Sequence, residues 1–258
     1  SFYSTGKTDW LGYDKSTRAL PEGITKAGLN STDKYTVSKL MPNDWKINNY
    51  NSLPAGLNVQ LAGGKNFKVF GKDLGVIGSA SYANTQRILT VNRGDYNVDT
   101  SRLYNFNDVQ TKKDVLIGTM LNFALKLNDN NKLTFNNLLS IHGDDQFTSR
   151  NGKDIEQERI NQSYSMLYNS TVLLNSQLLG EHALSSKGAK LKWGATVSDV
   201  KKNTPSYRRL TYFKNLDAEV NEPFIAYIPQ GAPSPNYAGR FYSNQEERMY
   251  SATTDFTL

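Results

Sequence analysis

The chain has 258 residues, is 38% hydrophobic, and carries 30 Lys and Arg against 24 Asp and Glu, a formal net charge of +6. Mean hydropathy is −0.58, and the longest apolar stretches, such as Val172-Leu173-Leu174 and Leu138-Leu139, fall far short of the roughly 20 apolar residues a spanning helix needs. Helical spans are excluded; spanning strands are not, because alternating apolar and polar residues average out to a hydrophilic sequence.

In chain order, residues 5–56 show no sustained alternation and read as a long loop. Over 58–70 Val59 and Leu61 fall in phase, the chain turns at Gly71-Lys72-Asp73, and a strand returns over 75–91 through Tyr82. A loop is predicted at 92–113. Over 114–127, Val115, Ile117, Thr119, Leu121, Phe123 and Leu125 share one parity while Asn122 and Lys126 take the other. That period of two is a strand. The turn Asn128-Asp129-Asn130-Asn131 leads into 132–142, with Leu133, Phe135, Leu139 and Ile141 against Thr134, Asn136, Ser140 and His142. Together these strands predict a hairpin. After a loop at 143–159, the run 160–179 sets Ile160, Tyr164, Met166, Tyr168, Val172 and Leu174 against Asn161, Ser163, Ser165, Asn169, Thr171 and Asn175. It is far longer than the roughly 5–6 residues of an ordinary globular strand. Leu191, Trp193, Ala195 and Val197 mark a strand over 190–200, a loop fills 201–247, and Tyr250, Ala252, Phe256 and Leu258 are in phase over 248–258.

The predicted links near 71–74, 128–131 and 180–189 are short, and those at 5–56, 92–113, 143–159 and 201–247 are long; the two kinds alternate. Outer-membrane barrels alternate in this way, with short periplasmic turns and long extracellular loops. The expected fold is therefore all-β: part of an antiparallel transmembrane β-barrel wall, about 7–8 strands of a larger barrel. One such domain is expected over 1–258.

Asp9-Trp10-Leu11-Gly12-Tyr13-Asp14 and Thr17-Arg18-Ala19-Leu20-Pro21, then Leu57–Gly64, Phe67–Lys72, Leu74–Ser79 and Tyr82, resemble the early barrel of TonB-dependent receptors from Bacteroidetes-type bacteria. The resemblance is specific over the first third and one of barrel style afterwards. It implies a 22-stranded barrel closed by an N-terminal plug, which takes up scarce nutrients with energy passed from the inner membrane by TonB. The implied location is the bacterial outer membrane. Implied partners are outer-membrane lipid, the plug and remaining strands of the parent receptor, TonB through the plug region, and a surface substrate-binding lipoprotein. No plug-like segment, TonB-contacting segment or complete closing strand is read in the sequence, and Ser1-Phe2-Tyr3-Ser4 has no leader character, so the chain reads as an interior slice of such a receptor.

Candidate chemistry is sparse. There is no cysteine, and the two histidines, His142 and His182, make no poly-histidine metal site. Basic residues are scattered among acidic ones without a block, which reads as solvated surface and not as a nucleic-acid interface. Gly63-Gly64-Lys65 lacks Walker spacing and reads as a strand end or bulge. Asn128–Asn131 lacks the glycine and glutamate of a calcium loop and reads as a turn. His142, Asp144, Asp145, Asp154, Glu156 and Glu158 have no motif spacing and read as solvation of an extracellular loop. No nucleophile motif is present, so neither catalysis nor a cofactor is expected.

The predicted loop 201–247 has the richest composition. It interleaves Tyr207, Arg208, Arg209, Tyr212 and Phe213 with Phe224, Tyr227, Tyr237, Phe241 and Tyr242, along with Pro205, Pro223, Pro229, Pro233 and Pro235. Aromatic faces with Arg donors suit sugars, peptides or chelates; a self-packed loop cap is the competing reading. The sequence thus predicts a transport component, with an open porin, a surface adhesin or a soluble β-sandwich binding module as alternatives. Siderophore, vitamin, oligosaccharide and peptide cargos all stay open. A slice with two open edges should not span a membrane by itself; recovery of these residues alone as a monomeric, inserted barrel in detergent would contradict the slice.

Overall fold

The computed structural model describes residues 2–3, 6–14, 18–24, 30–41, 45, 47–48, 55–185, 188–228 and 236–258. Short elements come first: β1 (Phe2–Tyr3), a 3-10 turn (Asp9–Leu11), α1 (Ser31–Ser38) and β2 (Ile47–Asn48). Long strands follow: β3 (Leu57–Val69), β4 (Lys72–Tyr96), β5 (Arg102–Asn128), β6 (Asn131–Asp154), β7 (Arg159–Ala183) and β8 (Lys190–Asn215). After them come β9 (Ile225–Ala226) and β10 (Ala238–Thr257). Pairing runs β3-β4-β5-β6-β7-β8-β10, antiparallel throughout, with β9 pairing β8 beyond the end of β10. The sheet is unclosed: among the described residues, β3 pairs only with β4 and β10 only with β8.

One end of the sheet carries Phe70-Gly71, Asp129-Asn130, Leu184-Ser185 and Gly188-Ala189; it is called the turn end below. Phe70 and Gly71 both have positive φ, 50° and 72°, the twist a two-residue hairpin needs. At the second turn the Asn130 amide donates to the Asn128 side chain at 2.9 Å.

Three expectations are corrected at the far end. Most of 92–113 and 143–159 is strand, leaving only 97–101 and 155–158 as connections, and β8 continues through 201–215. Alternation betrays a strand only where its two faces meet different surroundings. Here both parities are polar, so the ladder leaves no periodic trace. Pro205, read as a loop residue, sits inside β8 at a bulge: β8 pairs β7 through Asn203 and resumes at Arg208, while β7 goes from Ser170 to Met166. A residue with no N–H is tolerated in an interior strand at such a point, and Ser206 takes φ 57° there. Gly63-Gly64-Lys65 lies in mid-strand with no shift of register, and so is neither a strand end nor a bulge. Within 5–56, Asn30 caps α1 by accepting from the Asp33 amide at 2.8 Å. Pro229, Pro233, Pro235 and Thr17 lie outside the described residues.

The register places every apolar series read from the sequence on one face. Leu61, Ala80, Thr119, Leu139 and Leu174 are cross-strand neighbours, as are Gly63, Gly78, Leu121, Asn137, Ser176, Val197 and Tyr250. Near the turn end this apolar face carries Phe67, Phe123, Phe135, Trp193 and Phe256, and the opposite face carries Asn66, Asn122, Asn136 and Gln177. The apolar band is uncovered: Leu61 is 71% and Tyr250 72% exposed.

At the far end the same face is covered by the N-terminal segment. Gly12, at φ 77°, lies against Gly143, and Ser170 Oγ donates to the Gly12 carbonyl at 2.9 Å. Trp45 and Ile47 pack on Phe147 and Met166, while Arg240 of β10 lies over the Trp45 ring. A Cβ on Gly143 would stand 2.6 Å from Gly12 Cα, so backbone meets backbone. Gly143→Ala should weaken segment docking by about 1–3 kcal/mol. The check is hydrogen exchange, which should rise over residues 6–14 and stay low in β5 to β7.

Candidate ligand-binding site

The far end of the polar face holds a hollow of about 360 Å³ lined by Arg93, Asp108, Gln110, Gln146, Thr148, Arg150, Asn161, Ser163, Ser165, Tyr207, Arg209 and Tyr237, among others. At its centre Asp108, 1% exposed, accepts from two guanidinium groups. Arg150 donates through Nε at 2.7 Å and Nη2 at 2.8 Å, and Arg93 through Nε at 2.9 Å. Burial works against the Asp108 charge, but the Arg150 and Arg93 hydrogen bonds outweigh it and hold the carboxyl below the usual range. Arg150 also lies over the Phe106 ring, 5.0 Å from its centroid. Ser163 Oγ donates to Thr211 Oγ1 at 3.1 Å and Gln146 Nε2 to Thr148 Oγ1 at 3.1 Å.

The β8 bulge decides which predicted residues reach this hollow. Had the register below it continued, Tyr207 and Arg209 would share the face of Asn203; with the extra residue they lie on the polar face. Arg209 donates to the Tyr207 hydroxyl, and Ser165 Oγ reaches the same hydroxyl at 3.4 Å. Tyr237 stands at the rim against Tyr227, centroids 4.5 Å apart at 85°, and Tyr227 meets Phe213 at 5.4 Å and 90°. Arg159 covers both Phe213 and Tyr227.

The other predicted residues divide. Phe241 pairs with Tyr207 on β10 and is half exposed. Arg208 is buried on the segment side with its Nε on Ser206 Oγ at 2.9 Å. Tyr212 packs edge-on against Tyr164, and the Tyr242 hydroxyl meets Met41 Sδ. The nine residues therefore do not form one loop: five sit on strand β8 and two on β10, strand alternation divides them between two faces, and the bulge sets which of the β8 residues meet the hollow. Sequence reading missed Arg93, Asp108 and Arg150, which come from stretches without apolar alternation.

The acidic residues read as loop solvation also separate. His142 and Asp144 take the polar parity, with His142 Nε2 3.6 Å from Asp114, whereas Asp145, 4% exposed, lies under the segment. Among the described residues no group of three His, Cys, Asp or Glu is placed to hold a metal. A larger hollow of about 790 Å³ lies at the turn end, bordered by exposed Lys126, Asp129, Lys132, Lys190 and Lys192. Among the described residues it has no comparable buried polar anchor.

Where the segment meets the sheet, an arginine of the segment is buried among carboxylates. Arg18, 2% exposed, donates to both Asp9 oxygens at 2.8 and 2.7 Å, lies 3.4 Å from Asp14, and stacks over Tyr168 at 4.3 Å. The Gly6 amide donates to Asp9 at 2.7 Å. Asp145 completes a set of three carboxylates around one guanidinium. Burial pushes its carboxyl up to about 7, with Arg18 and Lys113 pulling down and Asp9 and Asp144 pushing further up.

No family model matches the chain, and no curated protein matches it.

The Asp145 environment sets a pH dependence. The buried carboxyl holds its proton to higher pH than a free aspartate does, so the docked state binds the extra proton and stability falls as pH rises from about 4 to about 7. Each tenfold change in proton affinity is worth about 1.4 kcal/mol. Docking of residues 6–14 should weaken by on the order of 1–4 kcal/mol between pH 5 and pH 8, read by limited proteolysis. In Asp145→Asn this dependence should flatten.

Proposed function

We propose that the chain is part of the wall of an outer-membrane active-transport receptor of the TonB-dependent type. Its apolar face meets lipid, its polar face lines the lumen, and its far end points outward. The chain binds and passes solute without transforming it chemically. The observation that carries this reading is the uncovered apolar band. Over the residues nearest the turn end, such as Leu133–Ile141 of β6, it matches the roughly 9–11 residues a tilted strand needs to cross a bilayer. A soluble sandwich would cover that band with a second sheet, whereas all the long strands described here belong to one.

Two details support the membrane reading. The band slants across the pairing rows: apolar residues extend to Leu57 and Ile117 on β3 and β5, but on β8 and β10 they stop at Val197 and Tyr250, where Asp199 and Arg248 pair. A slant relative to the rows is what tilted strands require of a level membrane. The aromatic residues Phe67, Phe123, Phe135, Trp193 and Phe256 collect near the turn end, as interfacial rings do. Trp193 donates its indole N–H to His182 Nε2 at 2.9 Å, which satisfies it where water is scarce.

The receptor type rests on the resemblance in residues 9–21 and 57–82. In the first of these motifs, Asp9, Gly12, Asp14 and Arg18 are the residues that seat the segment, so the motif has a physical task in this fold.

The test compares the two faces at one level in the parent gene product. Leu174→Arg, on the lipid face in mid-band, should cost about 2–4 kcal/mol and reduce the heat-modifiable, outer-membrane-inserted fraction. Asn175→Arg, on the lumen face, should leave insertion intact. Equal tolerance of both substitutions would defeat the reading.

A further inference from the structure

We propose that the Arg93–Asp108–Arg150 fork, faced by Arg209, receives a small carboxylate-bearing, hydroxyl-rich solute. The inference rests on the transport reading and names the solute class for the polar hollow. Asp108 occupies Nε and Nη2 of Arg150 and Nε of Arg93. It thereby fixes two guanidinium groups side by side while leaving Arg150 Nη1 and both Nη groups of Arg93 for an incoming anion. Both arginines keep substantial exposure, 36% and 47% of their side chains, while the aspartate is sealed at 1%. Arg209 adds a third cation, and Asp154 is the second lining carboxylate, so positive charge is in excess. Planar donor forks of this kind match carboxylate geometry and hold it with direction.

The remaining lining selects for hydroxyl groups. Gln110, Gln146, Thr148, Asn161 and Ser163 present amides and hydroxyls that both donate and accept. Tyr237 at the rim adds an aromatic wall for the apolar side of a compact ring. A volume of about 360 Å³ lies at the small end of the range for ligand sites.

The test is calorimetric titration of the detergent-solubilised parent gene product with sodium glucuronate, glucose or inorganic phosphate at one ionic strength. Glucuronate should bind at least tenfold more tightly than glucose or phosphate. Arg150→Gln should weaken it at least tenfold. Arg209→Gln, which leaves the Asp108 cluster intact, should weaken it several-fold, with heat-modifiable migration unchanged in both variants. Absence of glucuronate binding, equal affinity for glucose, or affinity indifferent to both substitutions would overturn the proposal; phosphate binding as tightly as glucuronate would reduce the site to a simple anion fork and overturn the solute class. Failure of the protein to migrate as a barrel would instead defeat the transport reading, and the heats would still decide the site.

Discussion

A strand can give each residue only one of two faces, and a neighbouring strand in register must agree with it. Across β4, β5, β6 and β7 this agreement holds along nearly the whole of strands 24 to 27 residues long. A one-residue slip anywhere in that ladder would carry polar residues into the apolar band, and Phe147 and Met166 onto the polar face. The fold therefore depends less on a packed core, which is small here, than on backbone pairing. That pairing transmits one parity from a lipid-compatible band to a charged cup.

Above the band, each face is organised by a buried charge with an opposite imbalance. On the polar side one sealed carboxylate gathers two arginines, leaving positive charge directed outward. On the segment side one sealed guanidinium gathers three carboxylates, leaving negative charge confined. Desolvating a charge is costly unless partners surround it. The first cluster meets that requirement; in the second, burial outweighs the partners of Asp145 and lifts its carboxyl, and only the first leaves donors at an open surface. The second is closed by backbone contact at Gly12 and Gly143, which suits an anchor better than a recognition site.

Much of the lower sheet was legible because its two faces meet different environments, so that Ile117 and Leu121 contrast with Asn122, and Phe135 with Asn136. The upper strands were not. From Asp108 to Lys113, and from Asp144 to Arg150, polar residues occupy both parities, because one face is polar and the other is held by buried ion pairs. The same loss of contrast hid Arg93, Asp108 and Arg150. Tyr207, Arg209 and Tyr237 were legible as a composition, but that Tyr207 and Arg209, and not Arg208 and Tyr212, face the hollow depends on a bulge. Pro205 marks that bulge, although a proline in a polar stretch reads equally well as a loop. The cap of α1 could have been found from Asn30 followed by Asp33.

The bulge at Pro205 also works as a slip joint. Lengths are free to differ there: β7 and β10 run straight on either side of β8, and the surplus residue is taken up at one point before pairing resumes. A strand shorter or longer by one residue at that joint would bend differently, yet below it the same side chains would stay on the apolar face and above it the same side chains would line the polar hollow. Wall and cup can thus be altered in length independently, each keeping its own register.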